Sequence, residues 1–275
     1  MPELAEIYLL KKFLKKNYKD KTLVSFKFNE NSKFNKKPPK GLDHFQKHLD
    51  LKLTNIKRKG KILILIFDDK WWLCIHFGLH GFLRTNKKDN NRILENYDNS
   101  SKNIHGVFKF TNDVMLNFVD RTGFGSSFNF FNNKTDFDKY LEKYAIDILD
   151  KDFTLKKFRE NVKKIQVKKL KKSELCTILL KQEYLCSGIG NYMKCEILYD
   201  SKLSPYRSIN HLDSSMIQNL YESILKITEI NIQANGRPLD QFQVFMKKKD
   251  RKGNDVIKEK TPDCRGTYWV REVQK

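Results

Sequence analysis

Cysteine is scarce and unpaired in this chain. The five residues Cys74, Cys176, Cys186, Cys195 and Cys264 include no C-x-x-C pair, which excludes a disulfide framework and a standard zinc site read from spacing. Long apolar runs are absent too. No stretch reaches the roughly 18 residues that cross a bilayer, and no secretory core follows the start. A soluble intracellular protein with no membrane partner is therefore expected. Negative charge is short: 33 Asp and Glu stand against 54 Lys and Arg, a formal charge of +21. Such an excess fits a polyanionic partner, because each neutralised phosphate releases condensed counterions and that release dominates nucleic-acid affinity. The wealth of Lys, Asn and Ile points to an AT-rich genome, of which a giant DNA virus is one source. That bias explains why Lys exceeds Arg, but not why acids are so few.

With 275 residues, 39% of them hydrophobic, the chain can bury a core of one or two domains. Residues Leu4 to Lys16 place Ile7, Leu10, Phe13 and Leu14 on one helical face. Thr22 to Phe28, Leu51 to Ile56, Lys61 to Phe67, Trp71 to Phe77, Gly106 to Phe110 and Val114 to Val119 are short, rich in β-branched and aromatic residues, and punctuated by Gly, Asn and Asp. They read as a sandwich of two sheets. Beyond Thr135 the pattern turns helical, over Phe137 to Leu149, Leu155 to Val162, Ser173 to Leu185, Gly190 to Ser201 and Ser214 to Ile232. The tail from Gln241 reads as two strands around the lysine-rich turn Lys247 to Asn254. The expected class is α+β: an N-terminal β-sandwich flanked by helices over residues 1–150, a helical domain over 151–240 and a hairpin over 241–275. There is no internal repeat, and Asn86 to Asn103 is polar enough for a loose loop.

Two segments carry chemistry. Pro2, once Met1 is trimmed, presents a secondary amine with the Glu3 carboxylate beside it. An α-amino group, with a pKa of about 7.7 to 8.0, is neutral far more often near pH 7 than a lysine at about 10.4, so it suits attack on a sugar C1′. Taken alone, a proline at this position often does no more than permit methionine removal. The second segment is Gln182-Glu183-Tyr184-Leu185-Cys186-Ser187-Gly188-Ile189-Gly190-Asn191-Tyr192. Its glycines permit positive φ and close approach, and the N–H groups opening the next helix form an anion site into which a phosphate fits. An ordinary packing corner between two helices is the alternative.

The second segment continues through Glu196-Ile197-Leu198-Tyr199 to Ser204-Pro205-Tyr206-Arg207. This long run resembles the helix-two-turn-helix of the formamidopyrimidine-DNA glycosylase and endonuclease VIII family, and Met1-Pro2-Glu3-Leu4 resembles that family's N-terminus. The resemblance implies Pro2 as Schiff-base nucleophile, Glu3 as acid/base on the opening deoxyribose, and Glu6 as a second acidic position. Arg58-Lys59-Gly60-Lys61 resembles a strand-entry motif whose lysine, here Lys61, binds phosphate near the lesion. Ile75-His76-Phe77-Gly78-Leu79-His80-Gly81 resembles a segment whose residue at Leu79 fills the void left by an everted base; without the family, Leu79 reads as core. Asn191, after Gly190, stands where the family grips phosphate.

The last residues, Cys264 to Lys275, resemble the family's finger, with Arg265 as its phosphate clamp. Val270 and Val273 occupy its closing cysteine positions, so a zincless hairpin is expected and no metal. In Asp120-Arg121-Thr122-Gly123-Phe124-Gly125, Gly123 stands where many members carry an arginine that inserts opposite the orphaned base, leaving Phe124 to wedge a neighbouring step and Arg121 as a substitute if the loop is shifted. The short Asn231 to Gln241 connection leaves no room for a lid over 8-oxoguanine. These departures imply the endonuclease VIII-like branch: a cofactor-free, monomeric DNA glycosylase and abasic-site lyase. Its expected substrate is oxidised bases, mainly pyrimidines, in duplex and single-stranded DNA. The expected location is intracellular: the nucleus if the source is eukaryotic, or a viral replication compartment if the source is a virus. The alternatives are a non-catalytic DNA- or RNA-binding protein on the same scaffold and a lyase with little base excision.

Overall fold

A computed structural model describes residues 2–85, 103–168, 170 and 173–275. The expected loop Asn86 to Asn103 and Met1 lie almost wholly outside the described residues. The chain forms two compact units, one of residues 1–2 and 6–142 and the other of residues 3–5 and 143–275.

In the first unit, helix α1 (Leu4–Asn17) is followed by strand β1 (Thr22–Phe28), two short helices, α2 (Lys33–Lys36) and α3 (Leu42–Gln46), and then strands β2 (Leu51–Lys59), β3 (Ile62–Phe67), β4 (Trp71–Phe77), β5 (Gly81–Thr85), β6 (Ile104–Phe110), β7 (Val114–Asp120) and β8 (Ser126–Phe131), with α4 (Lys134–Glu142) at its end. The strands form one ladder in the order β5-β7-β6-β1-β2-β3-β4-β8. Where two sheets were expected, only two registered pairs, Thr22↔Lys52 and Leu23↔Leu51, join the two halves into one. The halves nonetheless fold face to face: Phe118 of β7 and Phe128 of β8, far apart in strand order, have ring centroids 4.9 Å apart. Among the described residues β5 and β8 are the edges of the sheet, which is not a closed barrel. β3 is buried at every position because both of its faces are covered.

In the second unit, Thr154 caps α5 (Leu155–Val167) by accepting from Lys157 N at 3.3 Å, and Asp213 caps α8 (Ser214–Gln233) by accepting from Met216 N at 2.8 Å. Between them lie α6 (Leu175–Leu180) and α7 (Asn191–Asp200). The helix expected to reach Leu185 stops at Leu180, because Lys181 turns extended and the Gln182 side chain takes the Leu180 carbonyl at 3.0 Å. Residues 143–150, expected with the first domain, cluster in this unit, where Ser187 N donates to Ile146 O at 2.8 Å.

The tail corrects the expectation. Its strands are β9 (Ile257–Lys260) and β10 (Gly266–Trp269), and the turn between them is Thr261 to Arg265. The lysine-rich segment precedes them, folded around Asp250, whose carboxylate accepts from Lys252 N, Asn254 N, Asn254 Nδ2 and the Tyr199 hydroxyl at 2.8 to 2.9 Å. Burial opposes that charge, but the donors outweigh it and hold the carboxyl below its usual range.

Candidate active site and nucleic-acid interface

Pro2 and Glu3 are both buried. In the second unit, Glu3 lies across the start of α7, its Oε2 accepting from Gly190 N at 3.0 Å and Met193 N at 3.2 Å and its Oε1 from Tyr192 N at 3.0 Å. The positive end of the helix macrodipole faces the same carboxylate. Glu3 thus takes the Gly190 N–H, one of the donors expected to face a phosphate at this helix start. The local sequence makes room for it. A Cβ on Gly190 would lie 2.1 Å from Glu3 Cδ, and one on Gly188, at φ +134°, would lie 2.2 Å from Leu4 Cδ1.

Asn191 is partly exposed, with its Nδ2 donating to Gly266 O at 3.0 Å and its Oδ1 buried without a hydrogen-bond partner among the described residues. That bond ties the start of α7 to the hairpin turn carrying the exposed Arg265. Further along α7, Glu196 is buried and accepts from Gln243 N, Val244 N and Phe245 N at 2.7 to 3.0 Å, so it fixes the chain entering the hairpin. Burial pushes its carboxyl up, against those donors.

In the first unit, Lys61 is only 8% exposed and follows Gly60, at φ 55°, in the β2–β3 turn. His76 on β4 lies near it. Burial holds the His76 imidazole below its ordinary value against the Gly125 carbonyl 3.1 Å away, with a smaller push in the same downward direction from the Lys61 charge. The loops at Gly78 and Phe124 are locked together: Leu79 N donates to Phe124 O at 3.0 Å, and a Cβ on Gly78 would come within 2.3 Å of that oxygen. Buried Asp120 accepts from Thr122 N and Gly123 N at 3.1 and 2.9 Å, and Lys33 Nζ donates to the carbonyls of Gly123 and Ser126. The result is a stiff loop that presents Phe124 at 75% exposure. Leu79 is partly exposed, not the core residue its chemistry alone suggests. Arg121 is exposed, with Nη2 3.4 Å from His80 Nε2, and Glu6 sits in the first turn of α1.

His76, Lys33, Asp120 and Lys194 are the structural partners that sequence reasoning missed. His76 and Asp120 were signalled, since each sits inside a segment already singled out, and Asp120 bonds the backbone two and three residues on; Lys33 and Lys194 depend on contacts distant in sequence. Among the described residues no group of three or more His, Cys, Asp or Glu side chains is placed to hold a metal. Val270 is buried with Val244 and Cys195, and burial pushes the Cys195 thiol up to about 12.

Comparison with known proteins places this geometry. Three family models match: the formamidopyrimidine-DNA glycosylase N-terminal domain over residues 1–127, its H2TH domain over 144–243 and its C-terminal domain over 234–275. The chain belongs to the formamidopyrimidine-DNA glycosylase family, DNA glycosylases of base excision repair that also cleave at abasic sites. The Mycoplasma genitalium formamidopyrimidine-DNA glycosylase is 28% identical over 100% of this chain and 96% of its own length, and that of Lactococcus lactis subsp. cremoris is 27% identical over 89% and 83%. A Lactococcus lactis formamidopyrimidine-DNA glycosylase bound to DNA containing an abasic site superposes with a TM-score of 0.83 at 25% identity, covering 99% of each chain. MutM in complex with DNA carrying carbocyclic 8-oxoguanine gives 0.83 at 24%, covering 100% of each. No described helix is long and apolar enough to cross a membrane.

Proposed function

We propose that this enzyme acts as a monomer and excises oxidised bases, mainly pyrimidines, through a Schiff base on Pro2, then cleaves the strand by β,δ-elimination. The observation that carries the reading is Glu3: a carboxylate one peptide bond from Pro2, fixed by three backbone N–H groups of Gly190, Tyr192 and Met193. Preorganisation of that kind is what general acid–base work requires.

The damaged nucleotide leaves the stack, which costs least where the lesion already weakens pairing. The Pro2 nitrogen bonds to C1′, the base departs with the glycosidic electron pair, and Glu3 protonates the ring oxygen as the sugar opens. The resulting iminium acidifies the C2′ proton. Its loss expels the 3′ phosphate, a second elimination expels the 5′ phosphate, and water releases Pro2. No cofactor is needed for these steps.

Lys61 and Arg265 neutralise phosphates, contacts that position the duplex and carry no sequence information. Asn191 spends one N–H of its amide on Gly266 O, and the second is assigned to phosphate. Leu79 fills the vacated space and Phe124 wedges an adjacent step, while Glu6 stands in the turn that follows the catalytic pair. The lesion class rests on two features. Gly123 offers no side chain to the orphaned base, and residues 234–241 form tight turns, with Gly236 N bonded to Asn231 O at 2.8 Å and Gln241 N to Pro238 O at 3.0 Å, leaving no length for a lid. These are traits of the endonuclease VIII-like branch.

Single-turnover rates test the lesion class, on matched oligonucleotides holding thymine glycol, 5,6-dihydrouracil, formamidopyrimidine-guanine or 8-oxoguanine, in duplex and single strand. Oxidised pyrimidines should go fastest, with little dependence on the opposite base. Faster removal of 8-oxoguanine opposite cytosine, with strong opposite-base discrimination, contradicts the assignment.

A further inference from the structure

Lys194 lies in the middle of α7 and is fully buried, an unusual place for an ammonium group. Its Nζ donates to Asp263 Oδ2 at 2.5 Å and to Thr267 Oγ1 at 2.7 Å. Thr267 Oγ1 is 2.6 Å from Thr261 Oγ1, which is itself 2.5 Å from Asp263 Oδ1. Each hydroxyl has one hydrogen to give. Lysine can only donate and the carboxylate only accept, so the proton order is fixed: Lys194 to Thr267, Thr267 to Thr261, Thr261 to one oxygen of Asp263, and Lys194 directly to the other. The four side chains close a ring. Thr261 and Thr267 are buried and the Asp263 side chain is 4% exposed, so bulk water does not compete for these bonds.

The ring encloses the turn between β9 and β10. Arg265 N lies 3.2 Å from Asp263 Oδ1, Thr261 N donates to Arg265 O at 3.1 Å, and Gly266 O takes the Asn191 amide. These bonds hold the backbone of Arg265, whose side chain is exposed on the outside of that turn.

We propose that Lys194 is a positioning residue: through the closed ring with Asp263, Thr261 and Thr267 it sets the hairpin turn so that Arg265 meets a DNA phosphate. This rests on Arg265 being a phosphate contact, as assigned above. Removing either charge alone leaves the other buried without its partner, so the pair Lys194→Met with Asp263→Asn keeps the site neutral. Thr267→Val and Thr267→Ser separate bonding from packing: valine keeps the shape and loses the hydroxyl, serine does the reverse.

The test is the affinity, and its salt dependence, for a labelled duplex carrying a tetrahydrofuran abasic analogue, measured below each variant's melting transition. Arg265→Ala and the neutral double variant should each bind about tenfold more weakly, near 1.4 kcal/mol. Each should also flatten the salt slope by roughly one phosphate's worth, although buried Lys194 cannot touch DNA. Combined with Arg265→Ala, the double substitution should add less than about twofold, the non-additivity of one shared contact. Thr267→Ser should bind more tightly than Thr267→Val. If Arg265→Ala weakens binding and the double variant does not, or if the two losses multiply, Lys194 does not act through Arg265. Should Arg265→Ala bind normally, the clamp reading falls and this inference with it. If the double variant does not fold, the Thr267 pair decides alone: valine binding as well as serine overturns the ring.

Discussion

The eight-stranded sheet and the C-terminal hairpin are built on opposite principles. The sheet is held by apolar area: Phe26 stacks on Phe108 with centroids 4.2 Å apart, and Phe118, Phe128, Phe34 and Phe77 form one continuous aromatic cluster around it. The hairpin has only two short strands of four residues and a small apolar cluster around Val244, Val270 and Cys195. Its shape depends on buried polar groups instead, with Asp250, Glu196 and the Lys194 ring each satisfying several donors. Apolar packing loses stability in proportion to the volume removed, because neighbours relax only partly into a vacancy. Hydrogen-bonded charge is less forgiving, since one missing partner strands the rest.

The largest stability loss should come from the sheet. Phe118→Ala should cost about 3 to 5 kcal/mol in denaturant unfolding, as a large ring leaves a fully packed site. A loss below about 1 kcal/mol would show that the aromatic cluster is loosely packed. In the hairpin, Tyr199→Phe removes the hydroxyl that meets Asp250, and burial with that carboxylate pushes the phenol up to about 12. Its side chain is only partly exposed and keeps its ring packing as phenylalanine, so the expected cost is about 1 kcal/mol for the lost hydrogen bond. A larger loss, matched by a change in the hairpin's amide exchange, would make the Asp250 knot the hairpin's main support. Smallest of all is the effect of a chelator. Positions 270 and 273 are valine and the Cys195 thiol is held protonated, so melting temperature and activity should not change and elemental analysis should give no stoichiometric zinc. One zinc per chain would place the hairpin among metal-held fingers.

The same contrast decided what could be read in advance. Strands such as Thr22–Phe28 and Trp71–Phe77 were legible to the residue, because burial on a sheet selects β-branched and aromatic side chains locally. β8 was not, though its burial alternates, because glycines and polar residues frame its short run. Gly188 and Gly190 announced close approach. What approaches is Glu3, 187 residues away in sequence from Gly190, and it takes the Gly190 N–H expected to face a phosphate. Lys194 could not be read at all, since a lysine on a helix reads as solvated until Asp263, 69 residues on, is known to face it. The proposed catalytic pair, Pro2 and Glu3, could be suggested only because Met1-Pro2-Glu3-Leu4 resembles a family's N-terminus. No periodicity marks it.

The central claim is that Pro2 and Glu3 act as nucleophile and acid/base, and borohydride trapping tests it most directly. Wild type, Pro2→Gly and Glu3→Gln would each be incubated with a thymine glycol duplex and with an abasic duplex, and the covalent adduct quantified beside duplex affinity. Wild type should be trapped on both. Pro2→Gly should lose most of the adduct on each. Glu3→Gln should bind normally yet lose base excision by about 10²- to 10⁴-fold, the usual yield of a positioned acid–base group. Full trapping by protein that retains Met1, or normal excision by Glu3→Gln, would contradict the account.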